Sequence, residues 1–343
     1  MKVLVSFQPN TRAPDFEGAR LRKIIKGSLE MINVEYTTSI VDSFDVMHLL
    51  SIEDDNKAND ANENNIPLVI SALYCEDDPL ANYLEYKKNK DGTRTISLKS
   101  KGLKFLNKAN LVLTPTEESR NILINNGVTA DIQVTLPGVN ASRFDFSRTD
   151  EKDIFYRYFG ENRSKKLVVA MGEYDNNMEG ISAFINAAKK CPDVLFYYFG
   201  RESIPGILQS FKIRSLIDSS PKNVKFKGII SDDVYRSALM NADVFMFPGY
   251  KKTGVVALMD AMAAKCQLIV RKQAVFDGLL EDGKTAYLAE FSETLTSLTK
   301  DYFDGKLKDT TEKAYQEVLK NSLLNHGEKL KWFYQQQINI KDL

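Results

Sequence analysis

The chain has 343 residues, too many for one ordinary core, and two α/β domains are the natural expectation. Its 46 basic and 46 acidic side chains cancel, so no overall field draws it to nucleic acid or membrane, and an electrostatic partner has to be met by a local patch. Cys75, Cys191 and Cys266 lie far apart without zinc or CxxC spacing, which fits a reducing cytoplasm. No apolar run approaches the roughly 20 residues that span a bilayer, and MKVLVSFQP is too short for a signal peptide. The expectation is a cytoplasmic protein, or one peripheral on the inner face of the plasma membrane.

Lys2 to Gln8 reads as an opening strand, followed by a polar turn and a helix from Phe16 to Leu29 with Gly18 near its start. Val34–Thr37 and Phe44–Leu50 read as strands, the latter carrying His48 near its carboxyl end. Ser51 to Asn65 is acidic and Asn-rich, with little to bury, and reads as a solvated loop or helix. Ile66–Ala72 is a further buried strand, and it leads to the acidic cluster Glu76, Asp77 and Asp78. Leu111–Thr114 and Ile132–Leu136 complete this sheet, with a helix from Glu117 to Asn126 that Gly127 stops.

Pro137, Gly138 and Asn140 punctuate the chain. The βα rhythm restarts at Leu167–Met171 and continues through Val194–Phe199, Val224–Phe226, Val244–Phe247 and Leu268–Val270. Two such runs imply two doubly wound domains with a cleft between them. The polar helical segment after Thr311 is placed to return to the first domain. The domains are set at 1–145 and 146–325, with a returning helix over 326–343.

Asn241 to Val270 concentrates the functional signal. Val244–Phe247 is a buried parallel strand by its continuous apolar run. Pro248 and Gly249 stop it, Tyr250, Lys251, Lys252, Thr253 and Gly254 form a polar turn, and a helix of small and apolar residues follows. A loop at the carboxyl end of such a strand faces the ligand crevice, and the N–H groups at the following helix start suit a phosphate. Gly172 and Gly254 follow buried strands, where bare backbone can approach that phosphate.

FPGYKKTGVVALMDAMAAKCQLIV resembles the signature of family-4 glycosyltransferases, in which a Glu, seven residues and Glu-Ala-Met-Ala follow a Pro-Ser. LVVAMGEYDNNMEGISAFINAAKKCPDVLFYYFG is similar to that family's glycine loop, helix and strand. NVKFKGIISDDVYRSALMNADVFMFP and LPGVNASRF resemble its later strand–helix–strand and interdomain segments. Among relatives, the likeness is to bacterial diglycosyl-diacylglycerol synthases. The resemblance implies a GT-B fold of two Rossmann-like domains, with retention of anomeric configuration and no metal or cofactor. It puts a nucleotide-sugar donor, UDP-linked, on the C-terminal domain and a glycan or glycolipid acceptor on the N-terminal one. The donor-side candidates are Gly172, Glu173, Glu179, Gly200, Arg201, Tyr250, Lys251, Lys252, Thr253, Gly254 and Asp260, and the acceptor-side candidates, read from the sequence, are Gly18, His48 and Glu76.

The signature is altered where charge matters. Asp260 occupies the second Glu position and Lys252 the first, reversing its charge. Glu173 and Glu179 stand where family members carry basic residues that stabilise the leaving diphosphate. A carboxylate there repels it. Either Lys251, Lys252 and Arg201 supply the positive charge, or the fold serves as a non-catalytic partner or regulatory subunit of a glycosyltransferase. Lys251 and Lys252 read equally as a solvated turn, Glu76 as a solvated loop and His48 as a structural histidine. Asp260, between Met259 and Met262, reads as a contact to a ribose or sugar hydroxyl.

From Tyr86 to Lys108 the chain carries Lys87, Lys88, Lys90, Arg94, Lys99, Lys101, Lys104 and Lys108 against Asp91 alone. Leu98, Leu103, Phe105 and Leu106 recur at roughly helical spacing, so the segment reads as a basic amphipathic element for an anionic membrane surface. The alternative is the solvated edge of a packed helix. No nucleic-acid module is visible.

Overall fold

A computed structural model describes residues 1–7, 17–52, 55–74, 83–88, 94–172, 178–200, 211–249 and 255–341. The chain divides into two compact units, Met1–Val139 with Lys252–Val256 and Asn321–Leu343, and Asn140–Lys251 with Ala257–Lys320.

The first unit contains β1 (Lys2–Ser6), α1 (Glu17–Met31), β2 (Glu35–Thr37), β3 (Val46–Leu49), α2 (Asp55–Glu63) and β4 (Leu68–Ser71). It continues with β5 (Leu84–Lys88), β6 (Arg94–Leu98), α3 (Ser100–Leu106), β7 (Leu111–Thr114), α4 (Glu117–Asn125) and β8 (Asp131–Val134). Six strands make a sheet in the order β2-β1-β3-β4-β7-β8, and every pairing is parallel. β3, β4 and β7 are buried along their whole length, which explains why three of the four residues in each are apolar. Thr116 caps α4 by accepting a hydrogen bond from the Ser119 N–H at 3.2 Å, and Gly127 ends it at φ +87°.

The second unit contains α5 (Thr149–Lys152), α6 (Ile154–Phe159), β9 (Leu167–Met171), α7 (Met178–Lys190), β10 (Leu195–Phe199), α8 (Phe211–Asp218), β11 (Val224–Lys227) and α9 (Asp232–Asn241). After these come β12 (Val244–Phe247), α10 (Val255–Ala263, in this unit from Ala257 on), β13 (Gln267–Arg271), β14 (Tyr287–Ala289), α11 (Ser292–Phe303) and α12 (Thr311–Leu319). Its sheet is also all parallel, in the order β11-β10-β9-β12-β13-β14. The chain winds outward from β9 through β10 to β11, then starts again at β12 on the other side. The reversal between β9 and β12 is the switch point at which such sheets bind ligands, beyond the carboxyl ends of the strands.

The last helix, α13 (Leu323–Lys341), packs on α1 in the first unit. The crossing is close because Gly327 has no side chain, and a Cβ there would lie 2.3 Å from the Ser28 carbonyl oxygen. The helix brings His326 Nδ1 to 2.9 Å from Ser28 Oγ and the Tyr334 hydroxyl to 2.7 Å from His48 Nδ1.

The basic stretch departs from its expected form. Among its described residues the first part is the antiparallel strand pair β5–β6, not a helix, and only Ser100–Leu106 is helical. Phe105 and Leu106 are core, and Leu98 and Leu103 pack against the same cluster. The apolar spacing that suggested a membrane face therefore serves the interior.

Candidate functional site

At the carboxyl ends of neighbouring strands in the second unit, Gly172 directly follows β9 and Gly200 directly follows β10. The Gly172 N–H donates to the Phe199 carbonyl at 2.8 Å, and the Gly200 N–H donates to the Lys227 carbonyl at 3.3 Å. A Cβ on Gly200 would stand 1.7 Å from the Gly172 carbonyl oxygen, so the two strand ends meet through backbone alone. Neither glycine sets a side chain of its own on this rim, so the backbone there is bare at these two positions.

Beside it, the carboxyl ends of β12, β13 and β14 are joined by one side chain that sequence reasoning missed. Arg271 ends β13 with its side chain fully buried. Its Nε donates to the Pro248 carbonyl at 3.2 Å, one terminal nitrogen to the Glu290 carbonyl at 3.1 Å, and the other to Ser292 Oγ at 2.8 Å. The guanidinium also stands 3.7 Å from a carboxylate oxygen of Glu179, in the first turn of α7. Gln273 adds a bond from its amide nitrogen to the Gly249 carbonyl at 3.0 Å. The signal was an arginine directly after the apolar run Leu268–Val270, because a buried guanidinium is retained only where several acceptors converge.

Asp260 lies in α10 and is 4% exposed. Arg143, from the segment Ala141–Arg143, stands 3.9 Å from it and 2.5 Å from Asp232 at the start of α9. The carboxylate expected to meet a sugar hydroxyl thus faces a guanidinium of its own unit, a partner that sequence spacing did not suggest. Glu179 is half exposed. Glu173, Arg201, Tyr250, Lys251, Lys252, Thr253 and Gly254 lie outside the described residues, as does Glu76.

On the acceptor side, Gly18 is buried against the Phe7 ring at the start of α1. His48 corrects its expected place beside an acceptor. It has no exposed surface, and its ring nitrogens bond to the Tyr334 hydroxyl and, at 2.9 Å, to Ser71 Oγ. Burial, with a smaller contribution from His326, lowers its pKa to about 3, so the ring is neutral and serves as a core bridge. In the basic stretch Lys99, Lys101 and Lys104 are exposed. Lys99 stands 3.6 Å from Glu85, and Lys108 donates to Asp55 at 2.5 Å. Among the described residues no three His, Cys, Asp or Glu side chains gather as metal ligands, and no helix is long and apolar enough to cross a membrane.

Residues 165–301, which hold the glycine rim and Arg271, match the family described as Glycosyl transferases group 1. The whole chain is 25% identical over 344 residues to the processive diacylglycerol alpha-glucosyltransferase of Acholeplasma laidlawii, covering 99% of this chain and 100% of that one. The alpha-galactosylglucosyldiacylglycerol synthase of Streptococcus pneumoniae is 26% identical over 158 residues, 45% of this chain and 41% of its own length. In fold, the chain is similar to Anabaena HepE, solved in complex with UDP-glucose, with a TM-score of 0.73 at 14% identity over 98% of this chain and all of that one. The fold is GT-B, and the matched residues 165–301 lie in its second Rossmann-like unit.

Proposed function

We propose that this protein transfers a hexose from a nucleotide-sugar, UDP-linked, to a glycolipid of the diacylglycerol type, with retention of configuration and without a metal. The observation that carries the reading is the backbone approach of Gly172 and Gly200 at neighbouring strand ends, within the residues that match the family described as Glycosyl transferases group 1. The glycolipid acceptor rests on the likeness to the Acholeplasma laidlawii glucosyltransferase, which extends over 99% of the chain. The donor's diphosphate would lie at the rim, and the acceptor belongs to the first unit. Calorimetric titration with UDP and UDP-sugars is the test. Saturable binding followed by hexose transfer to diacylglycerol or glycosyl-diacylglycerol in mixed vesicles is expected. Absence of binding at millimolar nucleotide sinks the donor reading, and binding without transfer to any glycolipid replaces the enzyme by a nucleotide-binding partner of one.

A diacylglycerol acceptor requires the protein to work at a membrane surface. With zero net charge, attraction to anionic lipid falls to the exposed lysines of the first unit. It acts over a Debye length of about 8 Å at physiological salt. Each basic residue close to such a surface contributes about 1 kcal/mol. Changing Lys99, Lys101 and Lys104 together to Glu is expected to abolish salt-sensitive co-sedimentation with anionic vesicles, with the melting temperature nearly unchanged because all three are exposed. Equal sedimentation of both proteins retires this surface as the contact.

A further inference from the structure

Among the described residues β5 and β6 form a sheet of two strands. Such a pair is marginally stable in water unless something else holds it. Leu84 is buried, and Ile96 and Leu98 pack against the core of the first unit, so one face of the pair is sheltered. Its edge is held differently. The side-chain amide of Asn126, the residue that caps the carboxyl end of α4, lies along β6. Its Oδ1 accepts from the Leu98 N–H at 2.6 Å, and its Nδ2 donates to the Ile96 carbonyl at 3.1 Å. A residue of a parallel neighbour strand pairs in the same way, donating to one residue and accepting from the second one after it. Nδ2 also donates to the Ile122 carbonyl at 2.8 Å, which ties this surrogate strand to α4. Asn126 is followed by Gly127, exposed and at φ +87°. An asparagine before glycine is prone to lose its amide, because glycine puts no side chain in the way of its own nitrogen.

We propose that Asn126–Gly127 is a deamidation site whose amide latches β6, and that conversion to aspartate releases the strand pair and weakens the lysine surface beside it. In the reaction the Gly127 nitrogen attacks Cγ of Asn126, ammonia leaves, and water opens the cyclic imide to aspartate or isoaspartate. No other reactant is needed. The folded latch resists, since both amide atoms are engaged and the Gly127 N–H donates to the Ile124 carbonyl at 2.9 Å. Attack therefore waits for the latch to open. An aspartate in this place has no hydrogen to give, so the Ile96 and Ile122 carbonyls lose the amide as donor and face a negative charge. Lys99 directly follows β6 and stands 3.6 Å from Glu85 of β5, and Lys101 and Lys104 lie in the helix that comes next. These lysines start from the strand that the amide fixes. Their weakening rests on the membrane reading above, and the latch stands without it.

The experiment uses the full chain as wild type, Asn126→Asp and Asn125→Asp, the last adding the same charge one residue away on an exposed side chain. Hydrogen exchange of the β6 amides, read by mass spectrometry, is expected to quicken about tenfold in Asn126→Asp, the factor for the loss of a hydrogen bond or two. Asn125→Asp is expected to exchange like wild type. Equal exchange in the two variants overturns the latch. Wild type held at mildly alkaline pH is expected to convert at Asn126 more slowly when folded than in urea. Equal rates, or no conversion in urea, overturn the modification site. Should Asn126→Asp not fold, the converted fraction of the aged wild type, separated by charge, takes its place in the exchange measurement. Affinity for anionic vesicles is expected to fall about fivefold in Asn126→Asp relative to Asn125→Asp, the share of one lysine at such a surface. Equal vesicle binding by the two variants overturns the effect on the lysine surface. If wild type itself ignores the vesicles, the membrane reading falls, and exchange still decides the latch.

Discussion

Gly200→Ala is expected to cost roughly 3 kcal/mol or more of stability and to abolish UDP binding. The added methyl carbon would stand 1.7 Å from the carbonyl oxygen of Gly172, far inside van der Waals contact. That oxygen is backbone and has no rotamer to escape by. Gly172 is itself tied to β10 through its N–H bond to the Phe199 carbonyl, so relief requires β9 and β10 to part at their carboxyl ends. Those ends form the rim assigned to the diphosphate, so stability and binding fall together. Gly228→Ala is the control. Its Cβ meets nothing within 4 Å, and the expected change is within about 0.5 kcal/mol. Urea unfolding of the three proteins, with UDP titration of each, decides the matter. A Gly200→Ala protein that unfolds and binds like wild type would show that the two strand ends are not packed as described.

The second large effect is acid sensitivity. His48 and His326 are both fully buried, and burial lowers each pKa from 6.5 to about 3. His48 feels His326 as a further, smaller push downward, and His326 feels Lys329. Above pH 6.5 both rings are neutral whether the chain is folded or not, so the stability they allow is fully present there. As pH falls from 6.5 toward 3 the unfolded chain takes up two protons that the folded protein refuses, and stability declines until about pH 3. The slope is about 1.4 kcal/mol per pH unit for each histidine, or roughly 2 kcal/mol each by pH 5. Ordinary carboxylates bind few protons above pH 5, so the interval from 6.5 to 5 isolates the histidines. Unfolding free energies at pH 7, 6 and 5 are expected to fall for wild type. Each of His48→Gln and His326→Gln should remove about half of that slope, whatever it does to stability at pH 7. A slope that survives both substitutions would place the proton uptake elsewhere.

What the sequence settled by itself is the set of parallel strands. Leu111–Thr114, Leu167–Met171 and Val244–Phe247 are strands over the spans their apolar runs marked, because a strand covered on both faces has no polar position to blur its ends. The order of those strands with their helices already implied two doubly wound units. The three-residue edge strand Tyr287–Ala289 left no such trace, being too short and only partly buried. The basic stretch misled because apolar spacing reports that side chains are sheltered, not whether protein or lipid shelters them. Phe105 and Leu106 are sheltered by protein.

The partners of the polar residues were decided by the tertiary structure. His48 ended a strand and looked available, but a helix 286 residues further on covers it with Tyr334. Asp260 sat in a signature, and only the fold sets the Arg143 guanidinium 3.9 Å from it. Arg271 carried no motif, and only the fold gathers the carbonyls of Pro248 and Glu290 around it. Backbone preference and burial periodicity act over a few residues and can be read in order along the chain. The charge a buried group experiences is set by segments that are distant in sequence and adjacent only after folding.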